Sequence, residues 1–454
     1  MNSVDVLVIG AGPAGCMAAI GALKENPELR VVIVDKDPGE RHRIGEILLT
    51  NTMMELDRFD LVPEIKAAQE RHGWGRKFGF TFVHGKDRSP WRVHNSDPWV
   101  ADVDRGDYPE ELVAEDGDWY TMMVPRHEFD RTLLDIAIKR GAKFIPAKVK
   151  DLRIASQGEH TMVMGASLEH PDGTEEKIRP AQVVDASGQA AIIPKKIGKR
   201  VPLSIRAMSS RYTYFSKIEY EEAEKLGFYK EGSNIISFGR GWAWIARLKD
   251  DLISVGIVSD EWEGGFFKRL NDMPEAKLFK FDQANVVDYL GNPQDPDHHY
   301  RHPDYSYEST VTSGANWIAV GDAARFLDPL LSQGVTLCVS FGGLAGRTVA
   351  QVLAGERDDA QGSYNEIHEH YRAEVKALQH VISLWYRPED EHCPKEWMKA
   401  ATEIREIFDR PINSDIQSFR WVANLENVHM LMTGHKETDV VDRLLKLKDR
   451  EFAD

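Results

Sequence analysis

Two glycine-bearing segments, Val4 to Gly15 and Trp317 to Val335, hold the residue types needed to grip a phosphorylated ligand from two sides. In Gly10-Ala-Gly-Pro-Ala-Gly15, Gly10 allows a tight turn after an apolar strand and Gly12 lets the backbone approach a pyrophosphate. Gly15 lets the following helix pack close to the strand, and Pro13 and Ala14 sit at its start. The helix N-terminus then presents free N–H groups and a positive dipole end. The next strand, Val31 to Val34, ends at Asp35, 20 residues after Gly15, where an acid can bind ribose hydroxyls. The second segment sets Asp322 just after a strand and Gly334 at a helix start. One dinucleotide held from both ends points to FAD in a flavoprotein oxidase or monooxygenase. No second Gly-x-Gly-x-x-Gly follows a strand, so a partner that supplies reduced flavin is more economical than a resident NAD(P)H site.

The elements that position these residues follow from hydrophobic period and turn chemistry. Residues 1–35 read as β-α-β. Phe78, Phe80 and Phe82 alternate as in a strand, and residues 101–118 read as a mobile acidic excursion. A helix starts near Pro125, and Gly141 to Ile145 reads as the next parallel strand. Residues 147–180 read as a β-meander turning at Pro171-Asp-Gly173, and Val183 to Gly188 returns to the nucleotide sheet. Aromatic-rich strands fill residues 200–310, and residues 360–454 read as mainly helical. The expected fold is α/β: a Rossmann-like FAD-binding domain of discontinuous segments, an inserted β-sheet substrate domain and a C-terminal helical region. The expected boundaries are 1–75, 126–195 and 311–355 for the first, 76–125 and 196–310 for the second, and 356–454 for the third.

Composition narrows the function. The 454 residues carry a net charge of −16, which argues against nucleic acid and anionic membranes as partners. No run of 18 apolar residues occurs, so no transmembrane helix is expected, and no signal peptide is seen. Cys16, Cys338 and Cys393 are odd in number and far apart, which fits a reducing cytoplasm. His298-His-Tyr-Arg-His302 reads as a solvated loop rather than a metal site.

With these residues in view, the chain resembles the flavin-dependent halogenases, in the branch acting on pyrroles, phenols and carrier-bound substrates. These lie within the wider para-hydroxybenzoate-hydroxylase-like superfamily. The matching stretches are Gly10 to Gly15, Gly45-Glu46, Lys77-Phe-Gly79, Arg126 with Phe129-Asp130, Val184 to Gly188, Trp242-Ala-Trp244 and Gly321 to Val335. The resemblance implies FAD, used as FADH2, held by Gly10, Gly12, Pro13, Ala14, Gly15, Asp35, Lys36, Arg41, Arg126, Asp322, Pro329, Gly334 and Val335. It implies chloride or bromide at Ser332, Gln333 and Gly334, O2 as co-substrate, and a flavin reductase as partner. In the family a flavin hydroperoxide turns halide into hypohalous acid, which a lysine holds by hydrogen bonding or as a chloramine and presents to an electron-rich ring. Lys77 stands at that position; on pattern alone, beside Arg76, it reads as an exposed lysine. Trp242 and Trp244 match the tryptophans thought to gate substrate from flavin, although strand tryptophans are more often core.

Three departures qualify this. The family's Trp-x-Trp-x-Ile-Pro continues here as Ala246-Arg247, and its Gly-Glu-Ser-Leu-x-Pro reads Gly45-Glu-Ile-Leu-Leu-Thr50. Leu331 stands where tryptophan halogenases carry glutamate, which argues against free tryptophan and toward a phenol or pyrrole. A monooxygenase with direct oxygen transfer, and a flavin-binding module without turnover, remain as other readings. Trp385, Trp397 and Trp421 are expected to pack C-terminal helices over the substrate cavity.

Overall fold

Five strands run parallel, and the central ones are buried on both faces and read as near-continuous apolar runs, as in Val31–Asp35 and the second half of Asn2–Ile9. Trp317–Ala319, Glu175–Asp185, Asn2–Ile9, Val31–Asp35 and Lys143–Pro146 lie side by side in that order, and Ile9, Asp185, Ala319 and Val34 end level with one another. This computed structural model describes residues 2–36, 42–84, 88, 90–96, 108–158, 160–203, 208–239, 241–288, 299–302 and 306–386. Arg41, Cys393, Trp397 and Trp421 lie outside them.

The strand Glu175–Asp185 serves two arrangements. Its first residues pair antiparallel with His160–Glu169, which pairs in turn with Lys148–Gln157; from Ile178 to Asp185 it runs parallel to Asn2–Ile9. The expected meander and its Pro171-Asp-Gly173 turn are therefore present, with Gly173 N donating to His170 O at 2.9 Å.

The helix Pro13–Glu25 packs under this sheet against the 20-residue helix Gly334–Leu353. The two touch backbone to backbone: a Cβ on Gly346 would stand 2.0 Å from the Ala18 carbonyl oxygen. By length and mean hydropathy Gly334–Leu353 could cross a membrane, although Ser340, Arg347 and Gln351 interrupt its apolar residues, and 72% of its apolar window is buried inside the protein. Its apolarity is that of a core helix enclosed on most sides.

A second sheet runs Val286–Val287, Ser209–Phe215, Leu252–Ser259, Gly241–Lys249, Gly232–Phe238, Gly79–Val83, Pro90–His94. Strand alternation sorts its residues. Val83, Phe215, Ile236, Ala243, Ile245, Ile253 and Val255 form a core of their own on one face. Phe80, Phe82, Tyr212, Tyr214, Ile235, Trp242 and Trp244 join the main core on the other, toward the nucleotide sheet. The helix Ala360–Trp385 closes over the assembly, and Trp385 stacks on His84 with ring centres 4.1 Å apart.

Two local expectations fail. Residues 108–118, the described part of the acidic excursion, are packed: Tyr108 and Leu112 are buried and Tyr108 stacks on Trp119 at 4.6 Å. Tyr300–His302 is a strand paired with Ser209–Phe215, not a solvated loop. No metal-holding cluster occurs among the described residues.

Candidate active site

A cavity of about 640 Å³ opens between the two sheets. Gly10, Gly12, Pro13, Ala14, Asp35, Lys36, Arg126, Asp322, Pro329, Ser332, Gly334, Val335, Trp242 and Trp244 all line it, so both glycine segments face one space. Gly15, Gln333 and Lys77 are not among the residues that line it.

The phosphate end is built from backbone. Gly10 adopts φ +107°, and a Cβ there would stand 2.3 Å from the Ala186 carbonyl oxygen, so only glycine fits the turn. The helix it feeds has Pro13 in its first turn and no side-chain cap, which leaves its N-terminal N–H groups for an anion. Asp35 Oδ2 accepts from Ala11 N at 2.9 Å, which braces the loop while Asp35 still faces the cavity. Arg43 approaches the same turn, its Nη1 3.8 Å from where a Gly12 Cβ would be. Asp130, buried on the helix Arg126–Lys139, takes Arg43 Nη1 at 2.5 Å and Arg126 Nε at 2.9 Å, and so fixes both guanidiniums. Arg43 joins the expected set at this end, while Arg41 lies outside the described residues; an arginine on either side of His42 offers no signal in the sequence to separate them. Open N–H groups, two anchored arginines and an acid at the strand end suit an FAD pyrophosphate and ribose.

The opposite end is a turn. Asp328 Oδ1 accepts Leu330 N at 2.9 Å and caps the 3-10 turn Pro329–Leu331, after which Ser332 is left-handed (φ 56°, ψ 29°) and Gln333 right-handed. Ser332 N donates back to Pro329 O at 2.9 Å, and the left-handed then right-handed succession leaves the Gln333 and Gly334 N–H groups as the amides that can face an anion. The helix beginning at Gly334 has no side-chain cap. Gln333 is buried, with Nε2 donating to Leu331 O at 3.0 Å and Oε1 without a hydrogen-bond partner among the described residues. Asp322 faces the cavity, and burial pushes its pKa up to about 6 against the pull of Arg126, Arg43 and Arg200.

Lys77 departs most from what its sequence suggests. It ends the short strand Gly75–Lys77, is 0% exposed, and its Nζ has no hydrogen-bond partner among the described residues. The amine lies 4.1 Å from the centre of the Phe80 ring. Burial draws its pKa down from 10.5 to about 7, so near neutrality much of it is uncharged. The exposed-lysine reading is corrected: Phe80 and neighbouring strands enclose the side chain.

Glu46, a charged residue set in the apolar run Ile44 to Leu49, is the second functional candidate that sequence reasoning passed over. It is buried at the cavity wall and accepts from Tyr214 OH at 2.8 Å and Ser254 Oγ at 2.6 Å. Burial raises its pKa to about 7, with the two hydrogen bonds and Arg126 opposing. The interruption of an apolar run by glutamate was the available signal. Trp242 and Trp244 are both buried, with ring centres 5.7 Å apart, and both face the cavity.

Comparison with known proteins agrees with this geometry. An FAD binding domain model matches residues 3–218, and a tryptophan halogenase model matches residues 116–429. The 1H-pyrrole-2-carbonyl peptidyl-carrier-protein chlorinase of Pseudomonas fluorescens is 24% identical over 398 residues, 85% of this chain and 84% of that protein. The tryptophan 2-halogenase of Chondromyces crocatus is 29% identical over 80% of this chain, which spans only 64% of that protein's length. Among solved structures, a myxobacterial chondrochloren halogenase, described as a variant of FAD-dependent halogenases, aligns with a TM-score of 0.71. It is 25% identical and the alignment covers 97% of this chain and 99% of that one. Two uncapped helix starts around one dinucleotide-sized cavity and a family match over most of the sequence lead to one conclusion: the chain is a flavoenzyme belonging to the tryptophan halogenase family.

Proposed function

We propose that this enzyme halogenates an electron-rich aromatic ring, a phenol or pyrrole, either free or held on a carrier protein, using FADH2, O2 and chloride or bromide. The observation that carries the reading is the buried amine of Lys77. A lysine enclosed without a hydrogen-bonding partner among the described residues is unfavourable for stability, and a buried, perturbed amine of this kind supports a chemical role. Reduced FAD, when bound, supplies the oxidising equivalent from oxygen. The rest falls to the chain. Arg43, Arg126 and the N-terminal amides after Gly12 hold the pyrophosphate. The halide sits at the Ser332–Gly334 turn on the amides of Gln333 and Gly334, the Ser332 N–H being taken by the Pro329 carbonyl at 2.9 Å. Lys77, when neutral, takes hypohalous acid by hydrogen bonding, or as an N–halogen bond with loss of water. It then passes the halogen to the ring, and the proton the ring loses returns to the lysine nitrogen where an N–halogen bond breaks, or joins the hydroxide of hypohalous acid as water. Trp242 and Trp244 wall the ring off from the flavin. Leu331, with no carboxylate to offer, supports a phenol or pyrrole over free tryptophan. The free thiols of Cys16 and Cys338 agree with a reducing setting such as the cytoplasm.

Two measurements test this. Crystals soaked with FAD and bromide are expected to show anomalous density beside Ser332 to Val335; density elsewhere would remove that halide site. The purified enzyme is expected to oxidise NADH or NADPH very slowly alone and to turn over once a flavin reductase is added. Rapid reduction by the isolated chain, or an oxygenated product formed without dependence on halide, would favour the monooxygenase reading.

A further inference from the structure

Trp242 and Trp244 are hydrogen-bonded to different parts of the protein. An indole N–H can only donate. Trp244 Nε1 donates to Ser254 Oγ at 3.0 Å, and Ser254 passes its own hydrogen to Glu46 at 2.6 Å. Trp242 Nε1 donates instead to Tyr386 OH at 2.7 Å. The tyrosine hydroxyl thus accepts from the indole, and its single hydrogen goes to Asp328 Oδ2 at 3.0 Å. Asp328 is buried, and its other oxygen caps the turn that delivers Ser332. A residue just past the helix Ala360–Trp385 therefore reaches through one carboxylate to the Pro329–Gly334 turn. Its neighbour Trp385 is buried on His84 and Phe82, which fixes the end of that helix to the same sheet that carries Trp242.

We propose that Tyr386 is a positioning residue for halide binding: its hydroxyl ties the Pro329–Gly334 turn to Trp242 and so sets the aim of the turn's amides. This rests on the reading that the turn holds the halide. The indole can only donate, so with Asp328 ionised, above the pKa of about 6 to which burial raises it, the tie has one arrangement. Without the hydroxyl, the Trp242 N–H and Asp328 Oδ2 lose their shared partner, and the carboxylate is free to shift with the turn it caps.

The test is a double-mutant cycle on the full-length, FAD-loaded enzyme. Tyr386→Phe and Trp242→Phe are each expected to raise the halide KM by about fivefold or more, with the double variant little worse than either single. For Tyr386→Phe, at a residue that does not line the cavity, FAD affinity should change less than about twofold, because the phosphate end is untouched. Trp244→Phe, whose indole belongs to the Glu46 chain, should combine additively with Tyr386→Phe. The indole 15N–1H resonance of Trp242 should move in Tyr386→Phe. Should Tyr386→Phe fail to fold, Trp242→Phe breaks the same tie from its other end. An unchanged halide KM, full additivity of Trp242→Phe with Tyr386→Phe, or an unmoved Trp242 resonance would overturn the tie. Bromide bound away from Ser332 to Gly334 in the wild type, with the resonance still moving, would overturn the halide reading and leave the hydrogen bonds standing.

Discussion

Exchanging Lys77 for methionine is expected to abolish halogenation and at the same time to make the protein more stable. The amine is enclosed, and burial holds its pKa at about 7 against 10.5 in an exposed lysine. The unfolded chain therefore binds a proton that the folded one gives up between pH 7 and 10.5. Stability of the wild type rises with pH across that window, and the penalty for burying the amine is fully present below pH 7. The shift corresponds to a gain for methionine on the order of 3–5 kcal/mol at or below neutrality, shrinking toward pH 10. Denaturant unfolding at pH 6 and pH 9.5 measures it. Activity should follow the neutral amine and rise with pH through about 7. Lys77→Arg should be inactive as well, because guanidinium stays protonated. Product formation by either variant, or a methionine variant less stable than wild type at pH 6, would show that Lys77 is not the buried acceptor described here.

Asp130→Ala is expected to do the opposite and damage binding and stability together. Its carboxylate is the common acceptor of Arg43 and Arg126, and Arg126 Nη1 also holds the Ile44 carbonyl at 2.7 Å, beside Gly45 and Glu46. Removing the acid leaves a buried guanidinium without its ion-pair partner, a loss of about 3–5 kcal/mol. The loop from Arg43 to Glu46 should loosen, and the variant should release FAD during gel filtration that the wild type retains. Unaltered flavin retention would mean that the arginines are placed by other contacts.

Much of the scaffold could be read from sequence because its signals are local. A strand, a glycine turn and an acid at the end of the next strand lie within 35 residues, and the meander declares itself through alternation and a Pro-Asp-Gly turn. The resemblance carried the turn at Ser332 and the lysine position. Pattern reasoning missed what depends on distant partners. Glu46 meets Tyr214 and Ser254 across 168 and 208 residues, and Trp242 meets Tyr386 across 144. Nothing near Lys77 in the sequence reveals that Phe80 and flanking strands enclose it; Arg76 beside it suggests water. Residues 108–118 look like a loop by composition, yet Tyr108 and Leu112 anchor them in the core.

The close seam between Pro13–Glu25 and Gly334–Leu353 has a consequence for how the protein is made. The first of these helices leaves the ribosome long before the second, and the surface against which it closes is complete only when Gly346, Arg347 and Gln351 have been added. At roughly 5–20 residues per second, that interval is on the order of half a minute. For that time the nascent chain displays a small-residue helix with no mate, and later a long apolar one must find it before an intermolecular partner does. Chaperone supply and translation rate are therefore expected to set the yield of folded enzyme, and a fragment ending before Gly346 would lack half of the seam on which its nucleotide-binding unit closes.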